Sequence, residues 1–177
     1  MVQTARYEVV NSWASENRLV LGVLATESKG HEIKAVQDLL KDLVLNKSVV
    51  TTDAFNCQKE TAAVIVDGGG DYVLALKGNQ PVMHQEFKQL LDEISQNRPP
   101  DAETADKGHG RIETRRYWQS EDIGWYADLD KWPGLRSVGM VHSVRQLADG
   151  KTEQECRYYI SSLSYNPELF AKAIRAH

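Results

Sequence analysis

Residues that could do chemistry fall in three stretches of this 177-residue chain. The first is Ser48-Val49-Val50-Thr51-Thr52-Asp53-Ala54, in which a β-branched run delivers one carboxylate at its end. In open α/β sheets, ligands and reacting groups gather beyond the carboxyl ends of strands. Asp53 stands there if the run is a strand. The competing reading is structural, because Asp is a preferred helix N-cap and Asp53 precedes a helical pattern. The second stretch, Lys77-Gly78-Asn79-Gln80, closes another apolar run. A cation and two carboxamides suit phosphate oxygens by charge and hydrogen bonding, or they are loop polarity and helix caps. The third is the basic run containing Lys107, His109, Arg111, Arg115 and Arg116, with Glu113 inside it. These cations could grip phosphates or form a solvated strand face. Glu113 has the setting of a catalytic acid, or it pairs with Arg111 or Arg115, its same-face neighbours along a strand.

The elements that position these groups alternate between strand and helix patterns. Arg6 to Ser12 and Arg18 to Leu24, with Glu16-Asn17 between them, read as a β-hairpin. Glu32 to Leu45 is helical, with Ile33, Val36, Leu40, Leu43 and Val44 on one face. The strand ending at Asp53 follows, then a short helix from Lys59 to Val66. Gly68-Gly69-Gly70 comes after a helix and before a strand, the reverse of a phosphate-binding glycine loop, and serves as a C-cap and turn. Tyr72 to Leu76 is the next strand. Pro81 suits the first turn of a helix running to about Ile94, with Val82, Phe87, Leu90, Leu91 and Ile94 as its apolar positions. Strand and helix in alternation imply a parallel sheet.

Beyond Asn97-Arg98-Pro99-Pro100-Asp101, which reads as a linker, the texture becomes β-rich. Ile112 to Gln119, Leu135 to Gln146 and Glu153 to Leu163 predict three antiparallel strands. The last two are joined by the turn Ala148-Asp149-Gly150-Lys151. Trp125 and Trp132, in the connection between, suit burial better than stacking on bases. Pro167 starts a helix with Leu169, Phe170, Ala173 and Ile174 facing inward, still in progress at His177.

A net charge of −4 gives no global signal of nucleic-acid binding, so any such contact must be local. Cys57 and Cys156 make neither a disulfide framework nor a zinc spacing and read as inert thiols in a reducing compartment. No apolar run approaches a membrane span, and no signal peptide opens the chain.

Four stretches carry a resemblance that spans nearly the whole chain. They are Val50-Thr51-Thr52-Asp53-Ala54 with Cys57-Gln58; Ile65 to Gln80; Gly108-His109-Gly110-Arg111-Ile112-Glu113-Thr114-Arg115; and Arg157-Tyr158-Tyr159-Ile160-Ser161-Ser162-Leu163. Together they resemble bacterial insertion-sequence DDE transposases of the H-repeat-associated branch. The resemblance implies an α/β fold: an RNase H-like mixed sheet lacking its first strand, with an antiparallel β-rich insertion. The expected division is a partial core over residues 1–97, an insertion over 98–166, and the start of a returning core helix over 167–177.

The chemistry implied is phosphoryl transfer on DNA, with two divalent metals, Mg²⁺ or Mn²⁺, held between three carboxylates. Asp53 matches the second acid and a metal ligand. In the family the first acid lies in an Asp-Gly-Lys context upstream of the hairpin, and the third in a His-Trp-x-Ile-Glu-Asn motif. Met1 to Thr4 holds nothing like the former, and Arg175-Ala176-His177 reaches only the approach to the latter. The chain looks truncated at both ends, and Glu113 is the rival for third acid. Lys77, Asn79, Gln80, His109, Arg111 and Arg115 are the expected DNA contacts. One carboxylate cannot clamp two metal ions, so the isolated chain is expected to be inactive and to bind no metal tightly. The alternative is a non-catalytic, self-associating remnant of a decayed element. The strand gap beside the Asp53 strand is expected to be filled by a partner copy, another segment or the N-terminal residues. The setting implied is the bacterial cytoplasm, at the nucleoid, with DNA as partner and no membrane.

Overall fold

The computed structural model describes residues 8–14, 19–26, 32–108 and 111–176. The Glu16-Asn17 turn, the Gly30-His31 segment and His109 lie outside them. β1 (Glu8–Ala14) and β2 (Leu19–Thr26) pair antiparallel as a sheet of their own. They are followed by α1 (Glu32–Lys41), β3 (Val49–Thr52), a 3-10 turn (Ala54–Asn56), α2 (Lys59–Asp67), β4 (Asp71–Leu76) and α3 (Pro81–Asn97). Then come β5 (Ala102–Gly108), β6 (Arg111–Ser120), a 3-10 turn (Leu129–Lys131), β7 (Ser137–Gln146), β8 (Thr152–Ser161) and α4 (Pro167–Ala176).

The second sheet has six strands in the order β3-β4-β8-β7-β6-β5. Only β3 and β4 are parallel; every other pair is antiparallel. The architecture is α/β with a mixed sheet, compatible with an RNase H-like core. The strands beyond Pro100 are continuous with the parallel pair, because β8 docks directly on β4 from Val73↔Ser161 to Leu76↔Tyr158. Two serines pin that junction. Ser161 Oγ donates to the Tyr72 carbonyl at 2.8 Å. Ser162 Oγ accepts from Tyr72 N–H at 2.9 Å and donates to Asp71 Oδ1 at 2.7 Å.

The alternation of β4 explains why its sequence is apolar throughout: both faces are covered. Tyr72, Leu74 and Leu76 pack on one face with Leu40, Ile65, Phe87, Leu91, Trp118, Met140 and Ile160, beneath α1, α2 and α3. Val73 packs on the other with Tyr117, Val141, Tyr159 and Phe170, beneath α4. Gly139 makes the second layer possible. A Cβ there would lie 2.2 Å from Cζ of Phe170, so the ring sits against bare backbone. After α2 the chain reverses through Gly69 at φ +76°, a conformation glycine adopts without strain. Pro81 occupies the first turn of α3, as its fixed φ favours.

Three expectations need correction, and one strand was not expected. That strand is β5, just after the expected linker over residues 97–101; its Ala-Glu-Thr-Ala-Asp-Lys-Gly sequence has weak strand preference and is extended because it pairs along β6. α1 ends at Lys41, so Val44 leaves the helical face and is 90% exposed, while Leu39 is buried instead. Val82, at the open start of α3, is also exposed. Trp132 is buried, but Trp125 is half exposed, its ring centroid 5.8 Å from that of Phe87 in an edge-on arrangement.

Candidate functional site

Asp53 follows β3 directly and still has extended backbone, φ −69° and ψ 172°. Both sequence readings hold at once. The residue stands at the carboxyl end of a strand beside a parallel neighbour, and it caps the 3-10 turn that follows. Its Oδ1 accepts from Asn56 N–H at 3.3 Å and Asn56 Nδ2 at 3.0 Å. Asp53 is exposed and forms no ion pair among the described residues. Val49 packs on the α4 side of the sheet, and Asp53, four residues on, continues the same alternation. Asn56, three residues after the acid, is the participant that sequence reading missed; its Asp-x-x-Asn spacing was the available signal. With its Nδ2 turned to Asp53, its Oδ1 is buried and without a hydrogen-bond partner.

The loop after β4 reaches this turn. Asn79 Nδ2 donates to the Ala54 carbonyl and, at 3.4 Å, to the Cys57 carbonyl. Gln80 Nε2 donates to the Cys57 carbonyl at 3.2 Å. Cys57 is wholly buried, and burial pushes its thiol up to about 12, so it is protonated and inert. Lys77, in the same loop, is exposed. The structure therefore gathers Asp53, Asn79 and Gln80, with the two amides turned onto the backbone of the Asp53 turn.

Glu113 is placed elsewhere. Thr52 shares one row of the sheet with Leu74, Ile160, Val138 and Ser120. Asp53 is one residue past that row, and Glu113 is seven residues past it along β6. Six residues of strand, about 20 Å at the usual rise, and three intervening strands separate the two acids. Glu113 is buried, and both its oxygens are engaged. Oε1 accepts from Arg115 Nε at 3.1 Å and Arg145 Nε at 3.0 Å, and Oε2 lies 3.0 Å from an Arg115 Nη. Burial works against ionisation here, but Arg145 and Arg115 outweigh it and hold the carboxyl below the usual glutamate range. Arg115 also approaches Asp106 at 3.7 Å, and Arg175 of α4 reaches Asp106 at 3.0 Å. Arg145 is the partner the sequence did not reveal, because 32 residues separate it from Glu113 and only the β6–β7 register joins them. Arg111 opens β6.

The transposase DDE domain family matches residues 7–177, and the chain belongs to that family. A Xanthobacter autotrophicus protein named "Uncharacterized protein in dhlA 3'region" is 38% identical over 90% of this chain and 54% of its own length. "Putative transposase YncI" of Escherichia coli O157:H7 is 38% identical over 96% of this chain and 45% of its own length. "H repeat-associated putative transposase YhhI" of Escherichia coli K12 is 35% identical over 96% and 46%. The chain thus spans about half the length of the curated relatives it matches. A solved structure, Streptomyces venezuelae DesVI, covers 77% of the chain and 53% of its own at 13% identity. Its TM-score of 0.30 is too low to bear on the fold.

Members of this family act on DNA and generally depend on divalent metal. The described residues do not make such a site. No three of His, Cys, Asp or Glu stand together among them. Asp53 is a single carboxylate with one oxygen already holding two Asn56 donors, and a hard divalent cation needs several oxygen ligands. No helix among the described residues is long and apolar enough to cross a membrane.

Proposed function

We propose that this chain supplies one acidic residue, Asp53, to the active site of a metal-dependent DNA-cleaving and strand-transferring transposase. The other acids come from the length of the relatives that this chain does not span. The observation that carries the reading is Asp53 itself: exposed at the end of β3, on the α4 side, in no ion pair among the described residues. Mg²⁺ or Mn²⁺ is the cofactor of the complete site, and DNA is the substrate. Lys77 on the same edge and the basic β5–β6 hairpin, with His109, Arg111 and Arg115, offer phosphate contacts. Arg115 does so as one member of a carboxylate-matched network. Glu113, tied to two arginines, orients them and is not the third acid. The setting is the bacterial cytoplasm.

The test is cleavage of transposon-end DNA with Mg²⁺. The 177-residue chain alone gives none, and a chain of the relatives' full length cleaves. In that longer chain Asp53→Ala lowers the rate by a factor on the order of 10³, the scale of losing one transition-state charge stabiliser. Unchanged cleavage by Asp53→Ala overturns the reading.

A second reading, self-association, draws on the two edges of the six-stranded sheet. The β5 edge carries Glu103, Asp106 and Lys107, charges that discourage strand addition. β3, Val-Val-Thr-Thr, is the other end strand of the six and carries no charged side chain. A second copy pairing there makes the chain a dimer; a monomer by light scattering at 100 micromolar or roughly that concentration excludes it.

A further inference from the structure

We propose that Asn79, seconded by Gln80, is a positioning residue: it fixes the direction of the Asp53 carboxylate and is not itself a DNA contact. The inference deepens the transposase reading and rests on it for its functional meaning. The turn from Asp53 to Cys57 is held by short local bonds and by the loop after β4. The local backbone bonds are Asn56 N–H to the Asp53 carbonyl and Cys57 N–H to the Ala54 carbonyl, both 3.2 Å, and Gln58 N–H to the Asn56 carbonyl at 2.9 Å; Thr52 Oγ1 donates to the Asp53 carbonyl and Gln58 Nε2 to the Phe55 carbonyl, both at 3.3 Å, and Asn56 holds Asp53 Oδ1. β3 is the end strand of its sheet, so β4 is its only strand neighbour among the described residues. The carboxamides of Asn79 and Gln80 come from that neighbour's end, and they hold the turn at Ala54 and Cys57. These two carbonyls bracket Asn56, the residue whose two donors hold Asp53 Oδ1. Asn79 is exposed, yet its amide turns inward onto backbone and not toward the solvent a substrate would occupy. A reacting carboxylate works only when held to within about 0.5 Å, and hydrogen bonds from behind it provide that constraint.

The distinguishing substitution is Asn79→Asp. It keeps size and exposure but turns acceptor oxygens on the Ala54 and Cys57 carbonyls. In the 177-residue chain, amide hydrogen exchange at Asn56 and Cys57 is expected to rise about tenfold, the loss of one to two modest hydrogen bonds. Exchange at Leu74 and Ile160 stays as it was. The Asn56 side-chain amide resonances, held apart by the bond to Asp53, move toward free-asparagine values. Asn79→Gln, which keeps the donor, restores most of both signals. Binding of a short duplex DNA is unchanged in both variants. In the cleavage assay of the longer chain, Asn79→Asp lowers kcat and leaves half-saturation by DNA alone. Unchanged exchange and resonances in Asn79→Asp overturn the proposal, as does weakened DNA binding without them, which would make Asn79 a DNA contact. The exchange arm reads only the turn, so it stands or falls separately from any failure of Asp53→Ala to affect cleavage.

Discussion

Asp53 and Glu113 are both carboxylates lying past the same row of one sheet, and the fold treats them in opposite ways. Glu113 is buried and matched by Arg115 and Arg145, which lie on the same face of neighbouring β6 and β7. Asp53 is exposed and, among the described residues, matched by no cation and held by amide donors. Charge that is fully compensated inside the protein is set to hold strands in register. Charge left uncompensated at an edge is available to something outside. Of the two carboxylates the sequence offers, Glu113 is paired within the protein, and Asp53 is paired with no cation among the described residues.

Substitutions can break or sharpen this contrast, and the largest effect belongs to Glu113. Glu113→Ala removes the carboxylate between Arg145 and Arg115, leaving Arg115 only its longer contact to Asp106, and breaking a fully buried pair costs about 3–5 kcal/mol. The arginine side chains are 25% and 34% exposed, which lowers the expected cost to about 2–3 kcal/mol in urea unfolding. An equal loss in Asp53→Ala would erase the distinction. The acid limb of stability comes next. The folded Glu113 carboxyl lies below its ordinary value, so the stabilisation is complete above that value and disappears as pH falls through the folded one. Unfolding titrations below about pH 4 should be steeper for the wild-type chain than for Glu113→Gln. Asp53→Ala removes only a cap, about 0.5–1 kcal/mol, a shift of roughly 1–4 °C in Tm for a chain of this size. The smallest effect is Arg116→Ala. Its partner Glu103 and Arg116 itself are about half exposed, and such pairs contribute under about 1 kcal/mol.

These contrasts show where the sequence was readable. β3, β4 and α3 were legible because their signals are local: β-branched runs, a glycine turn, Pro81 and helical periodicity. Asp53 as strand end and as cap was legible for the same reason. β5 was not, since only pairing with β6 makes that polar stretch extended. The pairing of Glu113 with Arg115 was legible at two residues' spacing, but Arg145 was not, because its link to Glu113 is made by register between distant strands. Asn79 and Gln80 were visible as residue types suited to a site. Their direction depends on how the β4–α3 loop folds back on the Asp53 turn, and residue type carries no information about that.

The bare backbone at Gly139 beneath the Phe170 ring has an evolutionary corollary. Neither position is free to drift by itself, since any side chain at 139 collides with an aromatic at 170, and a small residue at 170 leaves a void over glycine. Among relatives the two sites should covary as a unit, large opposite absent, even though 30 positions of chain lie between them.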